Sequence, residues 1–424
     1  MNKLAHPAVQ VASLICMTAF PFVSAQATFF DDSHLTLNAR NFYMNRDFRE
    51  PYRDLPAQLE GSDKAKAEDW VQGFGLRFES GFTDGPVGLG ADALGLLGIK
   101  LDSGGGTTGT GALAFSPRTG EPQDEFSFLG VTAKARVSKT QVGVGTFQPT
   151  LPILFRNETR LLPQTFQGVQ IQSNEIVNTQ LIAGHFDESR FRDSSGNDRM
   201  TMISDRSMGA VESDGFDFAG GTYNFNPALS ATYYYARLEG NYSQHYASMI
   251  HKLPLTDTFT LVSQFRYFDS RNEGNTNVDN KNAAGMVTLS RGSHALSAVY
   301  QKLHGNTGMP FVAGGTDPYT YNTSTYTNFL MAKERSWQIK YEYDFAGVGV
   351  PGLMLLGRYV HGDDFEVAGQ PASEWERDID LTYIVQSNVL KGLCLQFRNV
   401  MYRGSDTVDV DENRVILSYS YAFW

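Results

Sequence analysis

Residues 414–424 alternate. Val415, Leu417, Tyr419, Tyr421 and Phe423 fall on one face of an extended strand, and Arg414, Ser418, Ser420 and Ala422 fall on the other. An apolar face, a small or polar face and an aromatic end suit a wall between lipid and water. A soluble strand can show the same alternation, so the weight comes from its recurrence. Leu35, Leu37 and Ala39 alternate with Thr36, Asn38 and Arg40. Trp70, Phe74, Leu76 and Phe78 alternate with Val71, Gly73, Gly75 and Arg77. Leu129, Val131, Ala133, Ala135 and Val137 alternate with Gly130, Thr132, Lys134 and Arg136. Phe259, Leu261, Phe265 and Tyr267 oppose Thr260, Gln264 and Arg266; Trp337, Ile339, Tyr341 and Tyr343 oppose Gln338, Lys340 and Glu342. Leu393, Leu395 and Phe397 oppose Cys394, Gln396 and Arg398. Short turns at Arg291-Gly292-Ser293 and Pro351-Gly352 contrast with long polar stretches over residues 102–124, 187–214, 271–282 and 303–333. Short turns on one side and long loops on the other are the habit of outer-membrane barrels.

The N-terminus sharpens this. Lys3, the mostly apolar residues 8–22 and Ala25-Gln26-Ala27 read as a secretory signal over residues 1–27, with cleavage after Ala25 or Ala27. Ser13, three residues before Cys16, argues against a lipoprotein site. Cys394 is then the one cysteine of the mature chain, which excludes an internal disulfide. Beyond residue 27 no apolar run approaches the ~18–20 residues of a membrane helix. An exported chain of this kind is either soluble or a β-barrel. Aromatics at 12%, with 29 Phe and 20 Tyr, favour the barrel, whose rims carry aromatic girdles. At roughly 22 residues per strand with its connections, ~400 residues give about 18 strands. The fold expected is all-β, one transmembrane antiparallel barrel over residues 28–424, with no helix of consequence. An excess of 46 Asp+Glu over 35 Lys+Arg argues against nucleic acid as a partner.

Eight cations carry the candidate chemistry. Arg40, Arg77, Lys134, Arg136, Arg266, Arg358, Arg398 and Arg414 fall opposite the apolar rows. Arginine facing lipid at mid-membrane would cost about 2–4 kcal/mol, so these side chains point into the lumen or sit near an interface. Fixed cations in a narrow pore favour anions, and a guanidinium matches a carboxylate in two-point contact. The competing reading is that they pair with luminal Asp or Glu and stiffen the wall; half of the eight are expected in each class. Enzymatic chemistry is not indicated, because no nucleophile stands with a placed base. Gly88-Leu89-Gly90 with Gly95 lacks dinucleotide spacing, and the histidines lack metal-ligand spacing. A first strand near Leu35 leaves no room for the plug of a 22-stranded energised transporter.

Several blocks resemble the OprD family of substrate-specific outer-membrane porins. Phe30-Asp31-Asp32-Ser33, Arg40-Asn41-Phe42-Tyr43 and Asn45-Arg46-Asp47-Phe48 look like the family's opening strand. Arg160-Leu161-Leu162-Pro163-Gln164-Thr165-Phe166-Gln167-Gly168 looks like the segment leaving its constriction loop. Glu334-Arg335-Ser336-Trp337-Gln338, Tyr343-Asp344-Phe345 and Gly349-Val350-Pro351-Gly352-Leu353 are the most specific. The resemblance implies an 18-stranded barrel, narrowed by inward loops, that passes small and mostly carboxylate-bearing solutes along a basic ladder without cofactor or metal. It implies the outer membrane of a Gram-negative bacterium. The partners implied are membrane lipids and small organic acids or amino acids, and the assembly implied is a monomer, with a weak trimer as the alternative. Arg136, Arg398 and Arg414 fall at ladder positions of the family. Gln396 and Thr382 stand where relatives carry further cations, so the ladder is thinner here and a general diffusion porin is the closest rival reading. The constriction loop implied covers residues 150–164, with Arg156, Glu158 and Arg160; Leu151, Ile153, Leu154 and Phe155 would hold it to the inner wall. A second loop, residues 309–328, offers Asp317, Tyr319, Tyr321 and Tyr326 as contacts for an aromatic acid.

Overall fold

The computed structural model describes residues 29–52, 64–116, 118–205, 207–208, 211–274, 276–314, 317–405 and 407–424. The expected signal segment, residues 1–27, lies outside the described residues. Eighteen antiparallel strands form the wall. The first six are β1 (His34–Tyr52), β2 (Lys64–Glu79), β3 (Gly88–Asp102), β4 (Glu125–Val137), β5 (Thr140–Phe147) and β6 (Thr165–Ser173). The next six are β7 (Thr179–Arg190), β8 (Phe216–Asn226), β9 (Leu229–Leu238), β10 (Tyr242–Pro254), β11 (Phe259–Asn272) and β12 (Asp279–Arg291). The last six are β13 (His294–Gly305), β14 (Arg335–Asp344), β15 (Leu353–Val367), β16 (Gln370–Ile384), β17 (Cys394–Gly404) and β18 (Val410–Ala422). Each pairs with its sequence neighbour, and β1 pairs with β18 from Thr36↔Ala422 to Phe48↔Val410. Closure leaves no strand edge, as lipid requires.

The alternation read from the sequence sets the two faces. Leu129, Val131, Phe265, Ile339, Leu395, Phe397, Val415 and Leu417 face outward and are exposed, whereas Val71, Phe42 and Arg414 face inward and are buried. Trp337, Tyr359 and Trp375 form an aromatic row on the outer surface, with ring centroids 5.6 and 5.7 Å apart, the first pair tilted and the second stacked. At the opposite rim Tyr421 and Phe423 meet edge to face at 5.0 Å. These rows are the girdles that the composition suggests. Trp424 is not a loose end: its indole donates to Ser33 Oγ at 3.1 Å, and the Phe423 N–H donates to Leu35 O at 2.9 Å. Together they fasten the closing seam.

The connections follow the short-and-long pattern, with different limits in places. Half of residues 271–282 are strand, because β11 and β12 extend their pairing to Arg271↔Asp279. The expected turn at Pro351-Gly352 is the end of a longer link containing the 3-10 turn Phe345–Val348. No α-helix occurs among the described residues. The loop between β5 and β6 (residues 148–164) turns inward. Gly145 and Gly168 face each other just before and after it, with φ of 136° and 151°. A Cβ at either would lie 2.1 Å from a neighbouring carbonyl oxygen, so only glycine permits this bend. Two apolar clusters line the inner wall and receive the loop, one built on Phe166, Phe186 and Phe216, the other on Phe42, Met44 and Val71.

Val131 sits mid-strand and 63% exposed on the outer face. Val131→Arg is expected to lower folding stability by about 2–4 kcal/mol and to reduce the heat-modifiable fraction on gels. An unchanged urea transition in lipid micelles would reverse this face assignment.

Candidate functional site

The β5–β6 loop crosses the lumen between its two apolar footings. Thr150–Leu151 pairs with Leu154–Phe155 in a miniature hairpin. Leu151, Ile153 and Leu154 bury against the first cluster, and Leu161 and Leu162 bury against the second. Between these footings the segment Asn157-Glu158-Thr159 has no strand to pair with; the Asn157 carbonyl accepts from the Gln164 N–H at 2.8 Å, and the Glu158 and Thr159 carbonyls go to arginines. Arg40 Nη1 donates to Glu158 O at 3.0 Å. Arg414 Nη1 and Arg160 Nη1 both donate to Thr159 O, at 3.3 and 3.1 Å. Arg192 Nη1 donates to Asn157 Oδ1 at 2.9 Å and to Thr159 Oγ1 at 3.3 Å. Four guanidiniums therefore hold three residues. Arg156 lies beside them and donates to the Glu158 carboxylate at 2.8 Å; the Glu158 side chain is exposed.

The β13–β14 loop (residues 306–334) closes against the first. Phe155 stacks on Tyr319 at 5.6 Å, and the Asp317 N–H donates to Phe155 O at 3.1 Å. Burial pushes the Asp317 carboxyl above its ordinary pKa. Arg266 donates to Tyr319 O at 2.7 Å and lies 4.0 Å from the rings of both Tyr319 and Tyr321. Its guanidinium is thus held by two cation–π contacts. Arg358 donates to Thr323 O, and Arg414 Nη2 donates to Thr325 O at 3.1 Å. The Tyr326 and Thr327 N–H groups donate to the Glu376 carboxylate, both at 2.9 Å. Arg414 is fully buried and touches both loops.

The eight wall cations meet different fates. Arg398 makes a two-point contact with Asp380 at 2.7 and 2.5 Å, Arg358 pairs with Asp378, and Lys134 pairs with Asp92. Arg414 shares Glu412 with Arg46. Four of the eight are therefore matched by carboxylates. Arg77 reaches Gln148 and has Glu79 only at 3.9 Å. Arg136 lies 4.2 Å from the Phe82 ring. Among the described residues, Arg40, Arg136 and Arg266 have no carboxylate within ion-pair distance. Arg160 is buried and donates to Thr110 O at 2.9 Å. Its burial, then the nearby Arg414 and Arg192, push its pKa down, a sign of like charges crowded together.

Several contributors escaped the sequence reading. Glu374, Glu376, Asp378 and Asp380 stand at every second position of β16, all buried on the inner face. That spacing in a strand was a visible signal for an acidic row opposite the arginines. Arg190 and Arg192 on and after β7 offered none, because Arg190 bonds mostly to backbone carbonyls and the partners of Arg192 lie on distant loops. The β7–β8 loop (residues 191–215) also enters the lumen and pairs Met202–Ser204 with Phe311–Val312 of the β13–β14 loop.

Comparison with known proteins agrees with this architecture. The family model described as outer membrane porin, OprD family, matches residues 27–423. The porin-like protein GalP of Pseudomonas putida is 36% identical over 96% of this chain and 97% of its own length. The crystal structure of Pseudomonas aeruginosa OpdQ is 43% identical, with a TM-score of 0.83 over 94% of this chain and 100% of that one. The structure of Pseudomonas aeruginosa OpdK with vanillate is 36% identical, with a TM-score of 0.86 over 93% and 100%. The chain belongs to the OprD family: it is an outer-membrane porin, a channel and not an enzyme.

Arg414→Gln removes charge-assisted bonds that anchor both inward loops, each worth roughly 1.5–3 kcal/mol. Single-channel recording is expected to show larger open-state conductance and more current noise, with a nearly unchanged folded fraction. Wild-type conductance and noise would show that Arg414 does not hold the loops.

Proposed function

We propose that this OprD-family porin passes small carboxylate-bearing solutes by passive diffusion along its basic inner wall. The observation that carries this reading is the charge balance at the inward loop. Arg40 is bound to a neutral carbonyl, and Arg266 is bound to a carbonyl and two rings; neither has a carboxylate within ion-pair distance among the described residues, so Glu158 and Asp317 offset their positive charges only in part where the lumen is narrowed. Arg77 and Arg136 extend the same path along β2 and β4. Such charges lower the entry barrier for anions and raise it for cations. Arg156, Glu158 and Asp317 give the narrowing both signs, and the half-buried Tyr319, backed by Phe155 and Arg266, gives it an aromatic edge. The OpdK structure with vanillate is in keeping with an aromatic acid as solute. Arg358, Arg398, Arg414 and Lys134 then shape the wall more than they attract the solute, being matched by carboxylates. We further propose that residues 1–27 are removed on export and that the barrel works as a monomer in the outer membrane.

The rival reading, a general diffusion porin with little selectivity, is favoured by the same four matched pairs and by Gln396 and Thr382 at sites where relatives carry cations. Titration of single-channel current with benzoate, arginine and succinate separates the two. Small conductance modulated by one organic acid is expected; large conductance indifferent to all three would contradict a selective channel. Arg398→Ala leaves Asp380 bare in the lumen and is expected to lower the anion preference several-fold, while Arg398→Ala with Asp380→Asn restores most of it. Reversal potentials unchanged in both variants would place the pair off the permeation path.

A further inference from the structure

The strongest unexplained feature is a group of arginines behind the tip of the inward loop that do not belong to the wall row. Arg160 is on the β5–β6 loop, Arg190 ends β7 and Arg192 follows it. None has a carboxylate within ion-pair distance among the described residues. Arg160 donates to Thr110 O and to Thr159. Arg190 is fully buried, lies 5.0 Å from the Phe128 ring and donates to Thr165 Oγ1, Phe191 O, Ser194 O and Pro163 O. Arg192 donates to Gly111 O at 2.9 Å, to Asn157 Oδ1 and to Thr159 Oγ1. Its guanidinium lies so close over Gly111 that a Cβ there would be 2.4 Å from Nη2.

The nearby charges leave an excess of positive sign. Asp193 is close enough to be felt by all three arginines but bonds to none of their guanidiniums. Glu412 is already shared by Arg46 and Arg414. Carbonyl and amide oxygens satisfy the donors of a guanidinium without cancelling its net charge. Burial brings Arg192 down to about 10, which leaves it charged at neutral pH. Salt ions reach buried charges poorly, so their fields are screened less than those of exposed ones.

We propose that Arg192, with the buried Arg160, is a remote determinant of anion selectivity: a half-buried cation, its guanidinium tied to the back of the loop tip, that acts on the passing solute through its field and not by contact. Arg192 bonds to Asn157 and Thr159, which flank Glu158 at the loop tip, and Arg40 bonds to Glu158 from the lumen wall. The field therefore originates one residue from the narrowing. The proposal rests on the carboxylate-channel reading above and adds a source of selectivity outside the wall row.

The test compares wild type, Arg192→Gln, Arg192→Lys and Asp193→Asn by reversal potential in a KCl gradient, with current noise recorded alongside. One unit charge at this remove is expected to change the chloride-to-potassium permeability ratio by about two- to fivefold. Arg192→Gln should lower the ratio, Asp193→Asn should raise it, and Arg192→Lys should keep it even where noise increases. A lysine variant that loses as much selectivity as the glutamine variant would make Arg192 a structural tie and overturn the proposal. So would an anion-preferring wild type matched by Arg192→Gln and Asp193→Asn. A wild type with no anion preference would instead overturn the carboxylate reading itself. If Arg192→Gln does not fold, the Asp193→Asn shift decides the matter alone.

Discussion

A loop folded into a barrel must satisfy its own backbone, and the rest of this structure depends on how that is done. The tip at Asn157-Glu158-Thr159 has no strand partner, and unmet polar groups away from water cost roughly 1–3 kcal/mol each. Guanidiniums from β1, β18, the β5–β6 loop itself and the β7–β8 loop meet that need. Charge-assisted bonds of this kind are about twice as strong as neutral ones. The consequence is electrostatic. Arginines committed to carbonyls keep their charge, so on the proposed reading the fixation of the loop and the anion preference of the channel have one origin.

The apolar contacts and the ionic contacts divide the labour. Leu151, Ile153 and Leu154 on one side and Leu161 and Leu162 on the other carry the loop across the lumen. The bend that starts it needs Gly145 and Gly168, whose φ values other residues avoid. The acidic row of β16 then fastens the second loop, through Glu376 to two backbone N–H groups and through Asp378 to Arg358 and Thr325. Arg414 joins both loops to the wall. The narrowing is thus a braced unit of three loops and five strands.

Much of this was legible in the chain. Alternation in β4, β14 and β18 placed the lipid face correctly because one buried and one wetted side leave period two little freedom. The inward loop and its four apolar anchors could be named, though Phe155 anchors to Tyr319 and not to the wall. Arg414 was assigned the correct face, but its complete burial could not be foreseen, because it follows from carbonyls some 89 and 255 positions away. The row Glu374, Glu376, Asp378, Asp380 was readable from spacing alone. Arg190 and Arg192 were not, since a loop cation looks the same whether it faces water or a neighbouring loop.

Bromide anomalous diffraction from crystals grown in sodium bromide tests the charge balance most directly, because it shows where anions rest without any assumption about the solute. Peaks beside Arg40, Arg77 and Arg266, along the two inward loops, are expected. A narrowing free of bromide, or one that takes up rubidium instead in a parallel soak, would contradict the positive excess on which the channel reading stands.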